Sequence, residues 1–289
     1  MFLSLRKWGW MLLPVLAMMR PVWAVEAVAM VTDIRGAATL TEKGGPEKLA
    51  LLAYLMPNSE IQIEGGARVV ITYFSKPQEF VFTGPARVQI NADGPKVLTG
   101  GAAETRKLGQ EKVSAAKKFS AMQREKLSQA TFEMRGSKEG VRLLGPVDTA
   151  LISTAPEFTW FGPRSAGEYR LALTGADGKV IQDVKTGQSS WQLPREDSLR
   201  RGDSYQWKVE TTLPSGETLS AGGKFTIVDE KKARKIIEAH PRPGAEFSER
   251  VLYAARLETE GLKYEAMKEW QALSQERPDD LILQERANR

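Results

Sequence analysis

The stretch APEFTWFGPRSAGEYRLALTGADGK, residues 155–179, sets Phe158, Trp160, Phe161 and Tyr169 close together. Whether these rings form a ligand platform or a core decides the fold. Phe158 and Trp160 are two residues apart, Tyr169, Leu171 and Leu173 keep the same period, and so do Tyr205, Trp207 and Val209. Extended backbone points alternate side chains to opposite faces, so each set projects to one face of a sheet. A one-faced aromatic set spread over several strands is most simply the inner layer of a β-sandwich, where each large ring buries roughly 150–250 Å². Phe161 has the opposite parity to Trp160 and is expected on the outer face. It and Trp191, in SSWQLP, are therefore the candidate surface contact residues.

Working outward, RLLGPVD, EFTWF, EYRLALTG, KVIQDVK, SSWQLP, DSYQWKVETTL and GKFTIVD read as seven short strands. Turn signals at Gly162-Pro163, Ala176-Asp177-Gly178 and Pro214-Ser215-Gly216 separate some of them, the punctuation of a compact sandwich. The segment from about Val141 to Val228 resembles a fibronectin type III domain. That resemblance implies a buried strand tryptophan at Trp160. It also implies a corner over Leu199–Tyr205 in which the Tyr205 hydroxyl satisfies a nearby backbone group.

Residues 28–99 also read as short strands between turns, with no competing helical pattern. Lys43-Gly44-Gly45-Pro46 is expected to be a loop. Ile34, Gly36, Asn58, Ile61, Gly65, Ala67, Val69, Phe82, Gly84, Ala86 and Val88 follow an order of strand, turn and core positions that resembles the FecR-like periplasmic domain. The resemblance is to the periplasmic part of the iron-signalling regulators alone, and it implies a fold rather than a chemistry.

From Ala103 to Arg135 the chain turns to Ala, Lys, Glu, Gln and Met, strong helix formers. Val113, Ala116, Phe119, Met122 and Leu127 give a helical stripe from about Gln110 to Leu127, expected as a connector packed on a sheet or, more sharply, as a partner-binding helix. After Val228 the pattern is helical again. Asp229 is the expected N-cap of EKKARKIIEA, and His240–Gly244 ends that helix. Ala254, Gly261, Ala266, Trp270 and Pro278 resemble one tetratricopeptide-type hairpin. A solenoid needs about three repeats for stability, so a single hairpin is expected to pack on the sandwich or on a partner chain.

Composition narrows the chemistry. Cysteine is absent and the single histidine is His240, which removes disulfides, thiolate nucleophiles and the usual His/Cys metal sets. Glu168, Asp177, Asp183, Asp197 and Asp203 are scattered over turns without a calcium-loop or paired-acid pattern. GGPEK and GGAAE lack the context of a phosphate cradle. No catalytic residue, cofactor or metal is therefore expected. Arg6 and Lys7, the apolar run Trp8–Met19, and Val22-Trp23-Ala24 read as a secretory signal cleaved near Ala24. The loss of Arg6, Lys7 and Arg20 lowers the formal net charge from +5 to +2. The basic residues between Arg106 and Arg142 are mixed with acids and lack a stacking ladder, so nucleic acid is not the expected partner.

The expectation is a mainly β, multidomain, periplasmic protein. It comprises a signal peptide (1–24), a small all-β FecR-like domain (25–101), a connecting helix (102–139), a seven-stranded fibronectin type III-like β-sandwich (140–228), and a helical tail with one α-hairpin (229–289). Its expected role is that of a non-enzymatic envelope adaptor that binds another protein. The alternatives are a cell-wall or polysaccharide binding module that uses Phe161 and Trp191 on a glycan, or a membrane-anchored envelope signalling protein.

Overall fold

A computed structural model describes residues 26–42, 44–129 and 140–288. The expected signal peptide and the end of the expected connector lie outside the described residues. Ten strands come first: β1 (Ala29–Arg35), β2 (Ala38–Glu42), β3 (Gly45–Lys48), β4 (Tyr54–Leu55), β5 (Glu60–Ile63), β6 (Arg68–Tyr73), β7 (Gln78–Thr83), β8 (Ala86–Asn91), β9 (Gly94–Thr99) and β10 (Glu104–Lys107). They form two antiparallel sheets, ordered β10-β7-β6-β1-β4 and β3-β2-β5-β8-β9. Val31, Leu40, Ile61, Val69, Ile71, Tyr73, Phe82 and Val88 fill the space between the sheets. The turn at Gly36 needs glycine twice over: its φ is +80°, and a Cβ there would sit 2.9 Å from that of Ala67.

Two elements depart from expectation. Gly45-Pro46, expected in a loop, opens β3, which pairs only with β2 at the sheet edge. An edge strand accommodates the missing proline N–H. Glu104–Lys107, assigned to the connector from its polar composition, is edge strand β10, paired with β7 through Thr105 and Phe80. Its residues are mostly exposed, so it shows no apolar alternation.

Helix α1 (Gln110–Gln129) follows. The sandwich then contains β11 (Arg142–Gly145), β12 (Thr149–Leu151), β13 (Glu157–Phe161), β14 (Tyr169–Gly175), β15 (Val180–Thr186), β16 (Ser190–Gln192), β17 (Ser204–Thr212) and β18 (Thr218–Ile227). They pair as β11-β13-β16 and β12-β18-β17-β14-β15, a two-sheet sandwich of the immunoglobulin and fibronectin type III kind. Eight segments stand where seven strands were expected, because the first edge divides: β11 pairs antiparallel with β13, and β12 pairs parallel with β18 in the other sheet. The aromatic set is core as its parity requires. Phe158, Trp160, Tyr169, Tyr205, Trp207 and Phe225 are all buried in one cluster. Tyr205 forms the expected corner: its hydroxyl accepts from the Arg200 N–H at 2.8 Å and donates to the Arg200 carbonyl at 3.2 Å.

Four helices complete the chain: α2 (Glu230–Glu238), α3 (Phe247–Thr259), α4 (Lys263–Glu276) and α5 (Leu281–Ala287). The Asp229 carboxylate caps α2 by accepting from Lys232 N, as its position suggested. Helix α5 lies beyond the expected stop at Pro278 and is capped by Asp280. The stretch expected as a connector does not merely join two domains. Val113, Ala116 and Phe119 of α1 share one core with Val251, Leu252 and Ala255 of α3, Trp270 of α4, and Met30 and Leu51 of the first β unit. The hairpin thus packs on the first β unit as well as on the sandwich. On the sandwich side, the α3–α4 turn is hydrogen-bonded to β12, with Ala150 N donating to Gly261 O at 2.9 Å. The adjoining Ile152 N donates to Glu265 at 2.8 Å.

The sheet face beneath α3 carries polar groups. Asp33, 1% exposed, lies 2.8 Å from Arg68 Nη1 and 2.6 Å from Arg277 Nη1, the second contact ionic without hydrogen-bond geometry. Arg277 also donates to Ile34 O and lies over the Phe247 ring. Buried Glu79 accepts from Thr32 and Thr72 at 3.5 Å and from Ser248 of α3 at 3.1 Å. Removing one partner of a buried ion pair strands the other charge and typically costs about 3–5 kcal/mol. Arg277→Ala, which leaves Asp33 with the half-buried Arg68, is expected to lower unfolding free energy by about 3 kcal/mol in urea titrations.

Burial pushes the carboxyls of Glu79 and Glu265 above their ordinary value of 4.5. Each therefore holds its proton more tightly in the folded than in the unfolded chain. The stabilisation is complete below 4.5 and is lost as pH rises through the raised folded value. The change in urea midpoint on going from pH 4.5 to pH 8 should accordingly be shifted toward greater stability at pH 8 in Glu79→Gln, and likewise in Glu265→Gln, relative to the parent. An unchanged difference contradicts this assignment.

Candidate interaction surface

Strand β13 is the middle of the three-stranded sheet, so its parity sorts the rings. Phe158 and Trp160 face inward: Phe158 lies 5.0 Å from Trp207 and Trp160 lies 5.6 Å from Tyr169, centroid to centroid. Phe161 turns outward and is 57% exposed. Arg142 pairs with it across the sheet, its guanidinium carbon 5.9 Å from the ring centroid. A register shift between Leu143 and Gly145 lets Leu143 pack on the core while Leu144 is 49% exposed. Arg142, Leu144 and Phe161 thus make an apolar surface with a cation beside it, an arrangement suited to contact.

Trp191 sits differently. It pairs in register with Phe158 and stacks on it at 5.9 Å, half-buried against the core. Phe161 and Trp191 therefore lie on opposite faces of the sheet and do not form one aromatic platform.

The outer surface continues onto α4. A Cβ at Gly145 would stand 2.4 Å from the Tyr264 ring, so glycine is what lets α4 approach β11. Lys268 Nζ lies 4.4 Å from the centre of that ring. Between β11 and the helices is a cleft of about 400 Å³ whose walls include Leu144, Lys263 and Tyr264. Also lining it, Glu258 accepts from Trp270 Nε1 at 2.7 Å and from Arg286 at 3.2 Å, so this partly buried carboxylate is compensated. Leu144 and Tyr264 escaped the sequence reading. The consecutive Leu143-Leu144 pair was the available signal, since a strand that places one leucine in the core must present the next outward.

The other residues considered from sequence are dispersed. Asp183 pairs with Arg170, Asp177 with Lys179 and Glu168 with Lys185. His240 is exposed, 3.6 Å from Glu269 and edge-on to Tyr253. Among the described residues no three His, Asp or Glu side chains are grouped to hold a metal, and no helix is long and apolar enough to cross a membrane.

No family model and no curated protein matches the chain. Among solved structures it is similar to a cell surface anchoring domain, at 19% identity over 24% of this chain and 90% of that one, with a TM-score of 0.22. It is also similar to CopC from Methylosinus trichosporium OB3b, at 16% identity over 31% of this chain and 95% of that one, TM-score 0.25. A third is the fn3 domain of the human collagen alpha-1(XX) chain, at 16% identity over 35% of this chain and 89% of that one, TM-score 0.24.

The opposite placements of the two rings predict opposite behaviour on truncation. Phe161→Ala should leave unfolding free energy within about 0.5 kcal/mol of the parent. Trp191→Ala, which removes a ring stacked on the core, should lower it by about 1–3 kcal/mol. Chemical denaturation of both variants checks the pair.

Proposed function

We propose that the chain is an exported, non-enzymatic binding module of the bacterial cell envelope, working through protein contacts at Arg142, Leu144 and Phe161. The observation that carries this reading is the exposure of Phe161 and Leu144 together on a sheet whose inner face packs on the core. Neither side chain serves the core, and solvent contact with both is unfavourable until something covers them. The signal-like N-terminus, a basic pair followed by an apolar run and a small-residue cleavage site, supports export, and the turn and core residues that resemble the FecR-like periplasmic domain support a periplasmic location. A role on polysaccharide is less well supported, because the two rings that would form its platform face apart.

Replacement of Phe161 by a photo-reactive benzoyl-phenylalanine in cells, followed by irradiation and mass spectrometry, tests the reading. Val180, 63% exposed at the sandwich's far edge strand, serves as the control position. A discrete crosslinked envelope protein from position 161 and none from 180 is expected, together with a mature chain beginning near Val25. Equal labelling from both positions, or none from 161, contradicts it.

A further inference from the structure

The charges around this surface differ from those on the sandwich's other outer face. On the five-stranded sheet most cations are matched, Arg170 with Asp183, Lys185 with Glu168 and Lys208 with Glu210, and Lys224 on β18 alone among them forms no ion pair among the described residues. Around Phe161 and Leu144 four cations lack an ion pair. Arg142 on β11, Arg164 just beyond β13, and Lys263 and Lys268 on α4 form no ion pair among the described residues, though all four lie in described segments. Arg142 and Lys268 instead sit over the Phe161 and Tyr264 rings. The acidic side chains bordering it are few: Glu157 at the far end of β13, across from Gln192, Asp148 in the wall of the adjoining cleft, and Glu265 on α4, whose charge is felt by Lys268. Glu258 and Arg286 in the adjoining cleft already satisfy each other. Unmatched cations bordering exposed apolar side chains make a surface complementary to carboxylates that flank an apolar residue.

Resting on the binding role argued above, we propose that this surface docks an acidic polypeptide segment carrying a leucine or aromatic side chain. The apolar residue of the partner covers Phe161 and Leu144. Its carboxylates meet Arg142 and Arg164 on one side and Lys263 and Lys268 on the other. The apolar contact supplies most of the affinity, and the charges select the partner and speed its arrival.

Selection of a random peptide library displayed on phage against the full chain, repeated with Phe161→Ala and Arg142→Glu, tests the proposal. The parent is expected to enrich peptides with Asp or Glu flanking Leu or Phe. A synthetic peptide of the enriched sequence should bind about tenfold more weakly to each variant, and more weakly at high salt. Thermal melts of the variants confirm that they remain folded. Enrichment of neutral or basic peptides that still need Phe161 overturns the acidic partner and leaves the binding role standing. Peptides indifferent to both substitutions, or no enrichment at all, overturn both. Retention of acidic peptides without any apolar residue shows simple anion attraction and overturns the proposal.

Discussion

The central strands of the sheet β10-β7-β6-β1-β4, namely β7, β6 and β1, are buried on both faces, and the arrangement of the helices follows from what covers the second. One face meets the other five-stranded sheet of the first β unit. The other presents Met30 together with Thr32, Thr72 and Glu79, and near its end Asp33. An antiparallel sheet with a polar-studded second face ordinarily leaves that face to water. Here α3 lies over it, so each polar group must find a partner in protein. Ser248 meets Glu79, and Arg277 meets Asp33. These partners give the cover a fixed register that apolar contact alone does not impose.

From that constraint the rest of the body is assembled. Once α3 is seated, α1 packs beside it and α4 returns along it, with Trp270 and Phe119 near one another inside. The α3–α4 turn then presents Gly261 to Ala150, and α4 presents Tyr264 and Glu265 to the sandwich. Residues from both sides of the sandwich in sequence thereby hold it against the first β unit. The contact surface inherits its shape from this path, because β11 is its sheet half and α4 its helical half. Desolvation of Glu79 and Glu265 places one titratable group at each of the two junctions.

Much of the sandwich was legible, since a period of two over Phe158–Trp160 and Tyr205–Val209 has one simple packing solution. The outward aim of Phe161 followed from the same parity. Trp191 did not yield, because its face depends on the register of β16 against β13, which a three-residue strand does not encode by itself. In the first β unit the run Val69–Tyr73 is buried throughout, and continuous burial hides from a reader that two different layers cover it. Edge strand β10 carries no apolar pattern at all. The union of α1 with α3 lay furthest from view: each helix shows an apolar stripe, but nothing in a stripe names its partner across the intervening sandwich.

Differential scanning calorimetry of the full chain tests most directly whether the helical layer joins the two β units into one cooperative body. A single transition whose calorimetric and van't Hoff enthalpies agree is expected. Two separated transitions, with the sandwich melting independently of the first β unit and its helices, would contradict it.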